Sequence, residues 1–232
     1  MNWQGKNKAI TFSFDDGVKQ DIRLVEIFNK YGLKCTFNIN SALLGLPNRL
    51  VRNEHDIDHS KIDASQVMSL YQGHEVAVHT LTHPNLKAIN TETVIRQVEE
   101  DRKALSALCG YDVLGMAYPG GSHCVDERVV QAIRENTPIR YARTTTSSHS
   151  FDLPTGDLLM LSPTVYYIED CLEDMVDEFL ALKADKPQML YIWGHSYEMD
   201  AEYISWEKFE RICKKLSGKE DIFYGTNMEV LF

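Results

Sequence analysis

Ala9-Ile10-Thr11-Phe12-Ser13-Phe14-Asp15-Asp16-Gly17 is a short apolar, strand-like run that stops at two carboxylates and a glycine. The stretch 18–31 follows it, with Ile22, Val25 and Phe28 at helical spacing and Gly32 placed to end the helix. Cys35-Thr36-Phe37-Asn38-Ile39 reads as the second strand. Residues 41–63 are polar and irregular, hold His55, Asp56, Asp58 and His59, and read as a loop inserted over one end of the fold.

The alternation continues along the chain. Residues 64–72 read as a short helix leading into the strand Glu75-Val76-Ala77-Val78-His79. Thr91 is placed to cap a long helix running to about 108, with Val94, Val98, Leu105 and Leu108 on its apolar stripe. Leu114 to Tyr118 reads as a strand closed by Pro119-Gly120-Gly121, residues 125–135 as helix, and Arg140 to Thr145 as extended. Residues 146–163 read as loop and 169–183 as helix. The most apolar strand, Met189-Leu190-Tyr191-Ile192-Trp193, runs into Gly194-His195, and a last helix covers 205–216. About seven strand–helix units predict an α/β fold with a parallel sheet closed as a barrel, one domain over 1–232.

Composition narrows the function. The chain has 232 residues, and 24 Lys and Arg against 34 Asp and Glu give a net charge of −10. That balance argues against a nucleic-acid partner, which needs clustered cations for phosphate. No apolar run approaches the ~20 residues that cross a bilayer, and the start, Met1-Asn2-Trp3-Gln4-Gly5-Lys6, lacks the apolar segment of a secretory signal. A cytoplasmic protein with no membrane partner is the expectation. Five cysteines, Cys35, Cys109, Cys124, Cys171 and Cys213, form no CxxC pair. They read as mostly buried thiols of a reducing compartment rather than as disulfides or a thiolate zinc site.

Polar residues gather at the C-terminal ends of the predicted strands: Asp15-Asp16, His79, Tyr118-Pro119 and His195. In α/β barrels that rim is where active sites are built. His79 and His83, spaced His-x-x-x-His, can meet one metal, and Asp15 or Asp16 can complete a three-ligand site open to water. One aspartate then binds while its neighbour stays free as a general base. His195, after an apolar strand, is the candidate general acid, with Glu198 or Asp200 to orient it.

These stretches resemble a known family. Thr11-Phe12-Ser13-Phe14-Asp15-Asp16-Gly17 is similar to the first motif of the polysaccharide deacetylases, the NodB-like carbohydrate esterases of family 4. Gly73-His74-Glu75-Val76-Ala77-Val78-His79-Thr80-Leu81-Thr82-His83 resembles their second motif, Ala117-Tyr118-Pro119-Gly120-Gly121 their third, and Trp193-Gly194-His195 their fifth. The resemblance implies a distorted (β/α)7-type barrel and a divalent metal, most often zinc, sometimes cobalt or another transition ion. It implies hydrolysis of N- or O-acetyl groups on a sugar or glycan. Carried over by position, Asp16, His79 and His83 become metal ligands and Asp15 the base that activates the metal's water. The backbone N–H of Tyr118 becomes an oxyanion donor, His195 the acid for the leaving group, and Trp193 the wall for the acetyl methyl.

Two departures stand out. The third motif's arginine, which orients the catalytic aspartate, is replaced by Ala117, or by Met116 under a one-residue shift; Arg143 on the next predicted strand is the candidate substitute. The fourth motif's aspartate has no clear match, and Asp152, Asp157, Glu169 and Glu198 are the candidates to tune His195. Tyr166, Tyr167 and Tyr197 are candidates to stack on a sugar. His55, His59, His123 and His149 read as loop histidines, and His74 and Glu75 as structural. The alternatives are an amidohydrolase of a small non-sugar amide or cyclic imide, and an inactive carbohydrate-binding protein.

Overall fold

Strand β1 (Lys8–Asp15) is the axis of the structure, a computed structural model that describes residues 3–232. On one side it pairs along nearly all its length with β9 (Gln188–Gly194). On the other side two shorter strands share it: β10 (Ile222–Tyr224) at its start and β2 (Cys35–Ile39) at its end. Every one of these pairings is parallel. The sheet continues through β5 (Glu75–Val78), β6 (Gly115–Ala117) and β7 (Tyr141–Arg143), and on the other flank β8 (Val165–Tyr166) joins β9. Leu161 spans the seam between β7 and β8: it bridges Arg143, donating its N–H to Ala142 O and accepting from Thr144 N. The eight-stranded sheet therefore curls into a distorted barrel with one irregular seam.

Helices α1 (Asp21–Tyr31), α2 (Val67–Leu70), α3 (Thr91–Cys109), α4 (Glu127–Asn136), α5 (Leu172–Ala181) and α6 (Trp206–Leu216) follow the strands in the order a parallel sheet requires. The period of two in β1 explains how they are held. Ile10, Phe12 and Phe14 face outward, into a core with Phe28 of α1 and Phe209 of α6; the Phe12–Phe28 ring centroids are 4.8 Å apart and Phe14–Phe209 5.8 Å. Burying each such ring stabilises the fold by about 1.5–3 kcal/mol. Thr11, Ser13 and Asp15 face the barrel interior, where their polar atoms meet Asn227, Asn38 and Arg143.

Three readings of the sequence change. Asn90, rather than Thr91, caps α3, accepting from Thr93 N at 2.8 Å. The stretch expected as a loop over 41–63 contains an antiparallel hairpin, β3 (Arg49–Arg52) and β4 (His55–Asp58). Its polar composition hid it, because both faces of β3 are largely solvent-facing. Nor is α6 the last element: β10 and α7 (Asn227–Leu231) follow. Helix α7 plugs the floor of the barrel, with Asn227 N on Thr36 Oγ1, Asn227 Nδ2 on Tyr191 Oη, and Met228 N on Glu75 Oε2. Glu75 is thus a floor residue, and Tyr141 donates to it as well. No helix among the described residues is long and apolar enough to cross a membrane.

Candidate active site

The strand ends bring the expected groups to one cavity of about 760 Å3. Asp15 closes β1 and faces inward by its parity. Asp16 follows with φ 84°, a left-handed conformation that costs energy for a residue with a Cβ. Gly17 continues that turn with φ 59°, and a Cβ there would meet Ile39 at 2.8 Å. The turn after β5 has the same character, with Thr80 at φ 67° and His83 at φ 57°. Thr80 Oγ1 accepts from His83 N at 3.1 Å, which folds His83 back toward His79.

Asp16, His79 and His83 offer ligand atoms that all lie within 4.8 Å of one another. Asp16 Oδ1 is 4.0 Å from His79 Nε2 and 3.7 Å from His83 Nε2. His79 Nδ1 is 2.8 Å from Ala117 O, which can only accept, so Nδ1 carries the proton and Nε2 presents its lone pair. Burial pushes the His79 pKa down to about 4, so the ring is neutral at pH 7. The carboxyl of Asp101, on α3, holds His79 N at 3.1 Å. This donor set, two imidazole nitrogens and a carboxylate oxygen, fits a divalent transition metal.

Two residues beyond those singled out complete the surroundings of Asp16. Asn48 Nδ2 donates to His59 Nδ1 at 3.0 Å, so His59 Nε2 carries the proton it donates to Asp16 Oδ2 at 3.3 Å. Lys61 Nζ lies 3.6 Å from Asp16 Oδ1. Burial would raise the Asp16 carboxyl, but the His59 hydrogen bond and Lys61 outweigh it and hold it well below the usual range. His59 read as a loop histidine and Lys61 carried no signal. Both contacts exist only because the hairpin segment folds back across the rim of β1.

Asp15 is held from behind. Arg143, fully buried, sets Nη2 against both Asp15 carboxylate oxygens and its Nε 3.3 Å from Ser13 Oγ. Asn38 Nδ2 donates to Asp15 Oδ1 at 2.9 Å. Burial alone would raise the Asp15 pKa; Arg143, with His79 and His195, reverses the sign and keeps it below the ordinary value. In register, Arg143 is the partner of Ala117 across β6 and β7.

His195 follows β9, with Nε2 3.9 Å from Asp15 Oδ2 and Nδ1 3.3 Å from Glu198 Oε1. Of the five acids considered for it, only Glu198 is there, and it also accepts from His195 N and from the Tyr166 hydroxyl. Asp152 pairs with Lys186, Asp157 with Arg134, and Glu169 with His149. Asp200 accepts from Trp206 Nε1 instead. Burial would lower the His195 pKa, but Glu198, then Asp15 and Asp16, raise it to about 9, so it is protonated at neutral pH.

Trp193 lines the cavity, stacked on Tyr166 with centroids 4.2 Å apart, and the Arg143 guanidinium lies 4.6 Å from its ring centroid. Tyr166 and Tyr197 line the cavity, whereas Tyr167 packs in the core against Phe14 and Phe209. Tyr118 differs from expectation. Its N–H is donated to Arg143 O at 3.0 Å, part of the link between the strand ends, and its hydroxyl to Leu159 O. An N–H already engaged in this way is not free for an oxyanion. All five cysteines are free thiols, and none lines the cavity.

The sequence model of the polysaccharide deacetylase family matches residues 3–142. The chain is 28% identical over 130 residues to the peptidoglycan-N-acetylglucosamine deacetylase PgdA of Listeria monocytogenes, covering 55% of this chain and 24% of that one. It is 53% identical over 103 residues to a chitooligosaccharide deacetylase of Sinorhizobium fredii, covering 44% and 41%. These alignments span less than half of either relative's length. Among solved structures, a family 4 carbohydrate esterase from Streptomyces lividans superposes with a TM-score of 0.58 at 15% identity, covering 95% of this chain and 93% of that one, a likeness of fold.

Proposed function

The chain belongs to the polysaccharide deacetylase family, and from that premise we propose that it is a metal-dependent hydrolase removing N- or O-acetyl groups from a sugar or short glycan. One observation carries the reading: a low-pKa carboxylate and a protonated imidazole, Asp15 and His195, flank the three-ligand group Asp16, His79 and His83. A binding protein has no use for a base and an acid on either side of a metal site.

Asp16 Oδ1, His79 Nε2 and His83 Nε2 would hold the ion, and zinc suits two imidazoles and a carboxylate. When bound, such an ion polarises the acetyl carbonyl and acidifies water. The remaining work falls to the chain. Asp15, ionised and oriented by Arg143 and Asn38, takes the proton of the attacking water. Developing charge on the carbonyl oxygen requires an N–H donor. Gly120 lines the cavity and its N–H has no partner among the described residues, so we assign it the role expected of Tyr118. His195 gives its proton to the leaving nitrogen or oxygen, because an amine cannot depart as an anion. Glu198 keeps that proton on His195 at neutral pH. Trp193, in contact with Tyr166 and Arg143, is the wall for the methyl group.

The hairpin bears on substrate size. Asn48, Leu50 and Arg52 stand along one side of the cavity, whose volume falls in the range of small-ligand pockets. A mono- or oligosaccharide fits this walled site better than the flank of a long polymer. The test is acetate release by zinc-loaded protein from N- and O-acetylated sugars and chito-oligosaccharides, with Asp15→Asn and chelated protein as controls. Acetate that vanishes in both controls supports the reading. Stoichiometric metal without acetate from any sugar sinks it, and small amides and cyclic imides become the next substrates.

A further inference from the structure

We infer that the acetylated sugar carries an anionic substituent, a carboxylate or a phosphate, and that Arg52 on β3 is the residue that reads it. The inference rests on the deacetylase reading above and adds the charge of the substrate to it.

The period of two in β3 sorts its residues. Leu50 and Arg52 face the cavity, while Arg49 and Val51 face away, Arg49 paired with Asp56 at 2.8 Å. Arg52 has no such partner. Among the described residues its side chain makes one hydrogen bond, from Nη1 to Val51 O at 3.1 Å, and no carboxylate lies within ion-pair distance of it. The carboxylates of the cavity are matched elsewhere: Asp15 by Arg143, Asp16 by His59 and Lys61, Glu198 by Tyr166 and His195. Lys61, buried on the same wall and paired with Asp16, is the other cationic side chain there. The net charge of −10 means that this basic wall is not the by-product of a basic surface.

The wall is also fixed in place. Asn53 Nδ2 donates to Ala201 O at 2.8 Å, Gln20 Nε2 to Asp58 O at 2.6 Å, and Lys61 bridges Val18. Arg52 is thus presented on a docked hairpin, so the backbone that carries it needs little ordering on binding. A guanidinium presents a planar fork that matches carboxylate and phosphate oxygens two at a time. A neutral acetylated sugar leaves that fork unused.

The experiment compares kcat/KM for acetate release by the zinc-loaded full chain. The neutral substrates are N-acetylglucosamine and N,N′-diacetylchitobiose. The charged ones are N-acetylmuramic acid, which adds a lactyl carboxylate, and N-acetylglucosamine 6-phosphate, so the two arms separate carboxylate from phosphate. At least one charged substrate should exceed the better neutral one by about tenfold or more, the scale of one charge-assisted hydrogen bond, with the difference in KM. Arg52→Ala should abolish that ratio, Arg52→Lys keep part of it, and Arg52→Glu invert it. Arg52 is exposed on a hairpin, and circular dichroism of each variant checks that it folds. Equal kcat/KM for charged and neutral sugars, or a preference that survives Arg52→Ala, overturns this inference and leaves the deacetylase reading standing. Acetate from none of them, nor from the wider panel, overturns both.

Discussion

Arg143 reaches Asp15 across 128 positions of sequence, and it does so from the position that pairs in register with Ala117. The arginine that the family resemblance expects on β6 is therefore replaced by one arriving from the adjacent strand at the same height. Both positions point into one barrel interior, so a guanidinium from either can meet the same carboxylate. Arg143→Ala should leave Asp15 buried without its counter-charge, destabilising the fold by about 3–5 kcal/mol in urea unfolding. Burial, no longer opposed by Arg143, then raises the Asp15 pKa, and the acidic limb of the kcat/KM profile moves to higher pH. Arg143→Lys restores charge without the fork and should fall between. Glu198 acts on the opposite limb. In the proposed mechanism His195 works protonated, so activity should fall as pH rises through about 9. Glu198→Gln removes the leading charge that raises that pKa and should carry the basic limb to lower pH; an unmoved limb would remove Glu198 from this role.

At the scale of elements, close packing positions the acid. Gly194 ends β9 with the Tyr167 ring so near that an added Cβ would meet it at 2.0 Å. Tyr167 in turn donates its hydroxyl to His195 O at 2.8 Å. Gly194→Ala must displace the ring or the strand end; overpacking of this kind costs about 1–3 kcal/mol. It should also lower kcat, because His195 moves with Tyr167. Thermal unfolding and steady-state kinetics on one preparation check both effects. The strands and long helices were legible in the sequence because their apolar residues keep period and their turns carry Gly, Asn and Asp. The hairpin β3–β4 was not, because it packs only Ile57 and Leu50 against the rest of the fold, too few apolar positions to show an alternation. The floor helix α7 escaped for another reason: five residues are too few to show a helical period.

For the whole molecule, the curled sheet makes one site of strand ends that lie far apart in the chain, and a ligand that bridges them should stabilise all of it. Zinc at 100 times its Kd contributes about 2.7 kcal/mol to the folded state. For a chain of this size that raises Tm by roughly 5–10 °C. His83→Ala, which removes a half-exposed ligand rather than a core residue, should lose most of the rise while keeping the metal-free Tm. Scanning fluorimetry with and without chelator reads both. By itself the sequence determined the α/β class, the parallel sense of its main strands and the gathering of Asp15, Asp16, His79, His83 and His195 at one rim. Local periodicity and short motifs are properties of neighbouring residues, which a linear text records. Only the tertiary structure decided that Arg143 serves Asp15, that Glu198 rather than Asp152, Asp157 or Glu169 serves His195, that His59 and Lys61 close on Asp16, and that the N–H of Tyr118 is already engaged. Each of these is a contact between barrel layers or across a loop. Its existence depends on the closure of the sheet, on which face of a strand a side chain takes, and on where an insertion docks.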